Sequence, residues 1–68
     1  MRQHSYPTIH ATMMLGKARR RLMVTRYELR FARAHGYPRQ ILAYLEKEFC
    51  ESLDFMWRAQ QQAKDVRR

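Results

Sequence analysis

Two apolar patterns, each long enough for one helix of several turns, run along this chain and meet at the segment HGYP, His35 to Pro38. In the first, Leu15, Leu22 and Leu29 recur every seven residues, and Ala11, Ala18, Thr25 and Ala32 fill the alternate positions. Leucine at one position and small residues at the other describe a helix that can approach a neighbour closely. Val24, Tyr27 and Phe31 form a second strip, which falls nearly opposite the first at about 100° per residue. A helix that is apolar on two sides needs two neighbours.

The second pattern is Ile41, Leu42, Leu45, Phe49, Leu53, Met56, Ala59 and Ala63, spaced three and four apart, with Tyr44 and Phe55 beside it. Gly36 is placed to end the first helix as a left-handed cap, and Pro38 suits the first position of the next. Tyr6-Pro7 disfavours helix at Tyr6, so residues 1–7 read as an arm, with Thr8 or Thr12 capping the helix that follows. The pattern predicts one helix over about 8–35, a turn at 36–37 and a second helix over about 38–65. Two long helices joined by so short a link fold back on each other. The expected fold is therefore all-α, a two-helix antiparallel hairpin forming a single domain over 8–68.

Length changes this picture. A chain of 68 residues buries little apolar surface, and domains so small rely on disulfides, metals or a second subunit. Cys50 is the single cysteine, which excludes an internal disulfide. His4, His10 and His35 have no metal-ligand spacing with one another or with Cys50, and Cys50, flanked by Phe49 and Glu51, reads as a half-buried structural thiol. Self-association remains, and pairing two hairpins into a four-helix bundle would cover Val24, Tyr27, Phe31 and some of Tyr44, Phe55 and Trp57.

The net charge of +8 points to a polyanion or an acidic protein surface as partner. Residues 1–36 carry eight basic and one acidic side chain, residues 37–68 six basic and five acidic. Arg19, Arg26, Arg30 and Arg33 align along one side of the first helix. In a hairpin centred near Tyr37, Arg26 would face Glu48 and Arg20 would face Asp54, leaving Arg19, Arg30 and Arg33 as a free basic surface. The expected interaction surface is thus Arg19, Arg30 and Arg33 with Tyr27, Phe31, Phe55 and Trp57. The lone thiol and the absence of a continuous apolar N-terminal stretch suggest the cytoplasm. No membrane span, cofactor, metal, catalytic group or small-molecule substrate is expected.

A second reading takes residues 28–45 as a helix-turn-helix. Phe31, Ala32, Gly36, Leu42 and Leu45 match its apolar, small and glycine spacing, and Arg39, Gln40 and Tyr44 would then point outward to read base edges of DNA. The segment FARAHGYPRQILA, Phe31 to Ala43, with Phe49-Cys50 and the glutamine-rich end Gln60 to Ala63, also resembles the small enterobacterial surface-composition regulators linked to glycogen synthesis. The likeness covers about half the chain. It implies a small, helical, non-enzymatic regulatory protein of bacterial, plasmid or phage type.

Overall fold

The computed structural model describes residues 6–67. Two helices, α1 (Tyr6–Ala34) and α2 (Arg39–Arg67), account for nearly all of them. They lie antiparallel: contacting pairs spread outward from the turn as Arg33 with Glu46, Thr25 with Ser52, and Leu15 beside Ala63. Among the described residues no helix is long and apolar enough to cross a membrane. Helix α1 begins at Tyr6, two residues before the expected start, because Pro7 falls in the first turn, where its missing N–H would be unpaired in any case. Thr12 does not cap it: its hydroxyl donates to Thr8 O one turn back, inside the helix. The rest of the expected arm, residues 1–5 with His4, lies outside the described residues.

The bend is built by the backbone. Gly36 adopts φ 65°, a left-handed conformation that side chains with a Cβ take at a cost. That rotation lets Tyr37 N–H donate to Ala32 O and Gly36 N–H donate to Arg33 O, closing the last turn of α1. His35 Nδ1 sits 2.9 Å from Phe31 O, adding a polar group at the same end. Pro38 then stands one step ahead of the second helix, its carbonyl accepting from Leu42 N–H.

What fills the space between the helices is small. Ala11, Ala18, Thr25 and Ala32 of α1 and Ser52 and Ala59 of α2 are buried, with Leu29 the one large side chain among them. Ser52 has 0% exposure and donates to Glu48 O at 2.8 Å. The Thr25 hydroxyl lies 3.0 Å from Ser52 Oγ and 2.9 Å from Arg21 O. Hydroxyls one carbon from their backbones can meet only where the helices nearly touch. Leu15, Leu22, Leu42, Leu45, Phe49 and Met56 flank this seam and are half-buried.

The second apolar pattern is thereby corrected. Ser52, outside it, is at the centre of the contact, whereas Leu53 and Ile41, inside it, are exposed at 46% and 43%. Thr25 opposite Ser52 centres the hairpin between Pro38 and Arg39 instead of near Tyr37. Small residues meeting small residues set the register, and each residue of shift turns a helix contact by about 100°. Cys50 is exposed because it lies on the far side of α2 from this seam.

Filling the seam should separate the helices. Ala18→Leu and Ser52→Leu are each expected to lower stability by about 1–3 kcal/mol through overpacking, and Leu29→Ala by about 2–5 kcal/mol through the cavity it leaves. Gly16, where an added Cβ meets nothing within 4 Å, is the counterpart: Gly16→Ala should stabilise by about 0.5–1 kcal/mol. Urea denaturation of the four variants checks the order, and a Ser52→Leu protein as stable as its parent would contradict the close seam.

Candidate functional site

A two-helix layer has two broad faces, and the ion pairs identify them. On one face Arg21 Nη2 lies 3.3 Å from Glu48 Oε2 and 3.6 Å from Glu51 Oε2. On the other, Arg33 Nη2 lies 3.3 Å from Glu46 Oε1. Arg58 pairs with Asp54 one turn away within α2, at 2.9 Å. These pairs are all well exposed, so their value lies in which charges they neutralise more than in stability.

The face marked by Arg21, Glu48 and Glu51 can be called the glutamate face. Helical periodicity adds Lys17, Val24 and Glu28 from α1 and Phe55 from α2 to it. Toward the turn it opens into an apolar groove lined by Tyr27, Phe31, Tyr37, Ile41 and Tyr44, with Glu28 at its edge. The rings are ordered against each other: Phe31 stacks on His35 with centroids 3.9 Å apart, meets Tyr37 edge to face at 6.1 Å, and lies 6.2 Å from Tyr27. The Tyr44 hydroxyl has its pKa raised, first by side-chain hydrogen bonding to Glu48, then by that carboxylate's charge, by desolvation, and by the charges of Glu51 and Glu28.

The opposite face is the arginine face. Arg19, Arg26 and Arg33 recur every seven residues along α1, and Arg30 sits beside them one turn from Arg26 and Arg33. Across the seam, Glu46, Leu53 and Gln60 form the matching row of α2, with Trp57 and Lys64 alongside. Arg19, Gln60, Ala63 and Lys64 line one groove between the helices. Among the described residues Arg19, Arg20, Arg26 and Arg30 enter none of the ion pairs.

The residues expected to form one interaction surface are thus divided. Phe31 and Phe55 belong to the glutamate face, Arg19, Arg30, Arg33 and Trp57 to the arginine face. Tyr27 stands on the boundary, beside Arg26 and Arg30 in a groove along the outside of α1. The expected pairings also change. Arg21, not Arg20 or Arg26, meets Glu48; Asp54 takes Arg58; and Arg33, expected to be free, is tied to Glu46.

The 28–45 segment has a different geometry from a helix-turn-helix. Its helices pack antiparallel along their length, whereas that motif crosses them at about 90–120°. Gln40 and Tyr44 share a side of α2, but Arg39 is turned about 140° from Tyr44, so the three side chains do not form one reading edge. Among the described residues no group of three His, Cys, Asp or Glu side chains is placed to hold a metal ion, and His10 and His35 are separated by most of the length of α1. Met23, 72% exposed, Tyr27, 68% exposed, and Trp57 and Tyr44, both 61% exposed, are the large side chains that a partner would cover first.

The acidic surroundings of Tyr44 can be checked directly. Its neutral form is the one the fold favours, so that contribution to stability is present below the ordinary tyrosine range and fades as pH rises through the raised value. Glu48→Gln should move the Tyr44 titration to lower pH, followed by NMR of ring-labelled tyrosine, and an unmoved titration would remove Glu48 as the cause. No protein family, curated protein or solved structure matches this chain.

Proposed function

We propose that this chain is a small non-enzymatic regulatory protein that dimerises through its glutamate face and docks through its arginine face on a polyanionic macromolecule. The observation that carries the reading is the division of charge between the two faces. Arg19, Arg26 and Arg30 stand unpaired on one side, while Glu28, Glu48 and Glu51 lie with Arg21 and Lys17 on the other.

Surface area supports the dimer. The protomer exposes 6084 Å², against about 4,600 Å² for a compact chain of its mass. The excess, on the order of 1,500 Å², exceeds the roughly 800 Å² per partner that a stable interface covers. The radius of gyration, 15.7 Å, is likewise larger than the about 11 Å of a compact chain this long. Charge then selects the face. A two-fold interface sets each patch against itself: the glutamate face carries both signs beside its apolar groove, so its carboxylates can meet the other copy's Arg21 and Lys17. Two arginine faces would repel.

Catalysis is not part of the reading, since the grooves are open to solvent and exclude no water from a reaction. The regulatory role draws on the partial resemblance of residues 31–43 to small bacterial surface-composition regulators.

Light scattering after gel filtration should give about twice 8.3 kDa for the parent and a single protomer mass for Tyr44→Lys. Heparin, a linear polyanion, should release the Arg26→Glu/Arg30→Glu variant at lower salt than the parent, with its dimer mass unchanged. A parent that runs as a monomer would overturn the dimer, and identical heparin elution would overturn docking through the arginine face.

A further inference from the structure

We infer that the dimer is a bridging module, holding two nucleic-acid duplexes by their phosphate backbones, one on each of two arginine faces that point in opposite directions. The inference rests on the proposed dimer and docking face. It adds the class of partner and the number of partners held at once.

Geometry gives the number. The hairpin is a single layer of two helices, with Cα extents of 53 × 18 × 12 Å. Its two broad faces are therefore back to back. When the glutamate faces of two copies meet, both arginine faces are outermost, separated by two helix layers about 8–10 Å apart. No single straight duplex can lie on both. Each dimer has two equivalent sites and one partner for each.

Chemistry gives the class. The ridge is made of arginine, whose planar fork binds phosphate oxygens in pairs and cannot lose its charge. Arg19, Arg26 and Arg30 span about 16 Å of a straight helix at 1.5 Å per residue. The two strands wind around a duplex as continuous rows of phosphates that edge grooves about 12 and 6 Å wide, so a straight ridge of about 16 Å laid across a groove reaches phosphates on both of its edges. An acidic protein patch has no such rows and would have to match three fixed charges. Arg33, neutralised by Glu46, marks where the free ridge ends.

Little on this face reads sequence. Leu53, Gln60 and Trp57 border the ridge, and a lone glutamine is a small vocabulary of base-edge contacts. The bound duplex is held by its backbone, which positions without specifying. Trp57 is the single tryptophan and lies on the arginine face, so its fluorescence reports this contact and not the dimer contact.

The test uses the whole chain and mixed-sequence DNA duplexes of about 20 base pairs, long enough at 3.4 Å per pair to outspan the ridge. Trp57 fluorescence should change on titration near physiological salt. The logarithm of affinity should fall with the logarithm of salt with a slope of about −2.7 for three phosphates per ridge, and Arg26→Gln should reduce that slope by about one. In a second arm, a biotinylated duplex on beads is mixed with protein and then with a fluorescent duplex of different sequence. Capture of the second duplex should rise with protein and fall again in excess, when separate dimers occupy the two duplexes and each dimer holds only one. Tyr44→Lys should keep the Trp57 response and lose the capture, with circular dichroism confirming its helicity.

Each failure points to a different step. A Trp57 response without capture by the parent would overturn bridging and leave the docking reading in place. No response to duplex, with heparin retention still dependent on Arg26 and Arg30, would overturn nucleic acid as the partner and favour an acidic protein. Loss of both would remove the docking face itself. Capture that never falls in excess protein would signify aggregation and overturn the two-site geometry.

Discussion

The close approach of the two helices, enforced by a seam of alanine, serine and threonine, is the constraint on which the remaining features depend. A seam lined by Ala11, Ala18, Thr25 and Ala32 against Ser52 and Ala59 leaves no room between the helices for a large ring. Tight contact maximises dispersion between backbones and Cβ atoms, yet it buries little apolar area per residue. The larger apolar groups are displaced to the flanks, where one hairpin half-covers them, or to the faces, where it does not cover them at all. Exposure of Tyr27, Tyr44 and Trp57 follows from the thinness of the layer.

The buried hydroxyl pair gives the seam its register. Thr25 donates to Ser52 Oγ and Ser52 donates to Glu48 O of its own helix, so no buried side-chain polar atom among the described residues lacks a partner. A slip of one residue would set an apolar neighbour against a hydroxyl and break the bond between the two side chains, which is costly in a dry contact. Register in turn decides which arginines meet carboxylates. Arg21 and Arg33 fall within reach of Glu48, Glu51 and Glu46, and the arginines between and before them do not. The uncompensated ridge is thus a consequence of where two hydroxyls meet.

Much of the hairpin was legible in residues whose physics is local. The seven-residue recurrence of Ala11, Ala18, Thr25 and Ala32 identified the contact face of α1, because helical period alone places them in line. Gly36 and Pro38 marked the bend, since a left-handed residue and a residue without an N–H are readable one at a time. Ser52 was not legible by hydropathy. Its signal was positional: Leu45, Ser52, Ala59 and Val66 continue a seven-residue row, and a small hydroxyl there matches Thr25 in size. Cys50 and Leu53 are apolar yet exposed, because size and not apolar character governs burial in this seam. The charge pairings depend on which face a side chain takes, which turns by about 100° per residue: Arg26 stands on the opposite face from Glu48 and Glu51, so Arg21, on their own face, meets them instead.

By itself the sequence determined the helical period, the narrow seam on α1, the bend and the excess of positive charge, all of which are properties of residue type and spacing along one chain. The tertiary structure decided which residue of α2 fills the seam, which arginines are neutralised, and that Phe31 and Phe55 stand on the opposite face from Arg19, Arg30, Arg33 and Trp57. Helix period fixes angles within a helix, but it carries no information about the rotation and stagger of one helix against another. Those two quantities are set by packing, and here the packing is decided by the smallest side chains in the chain.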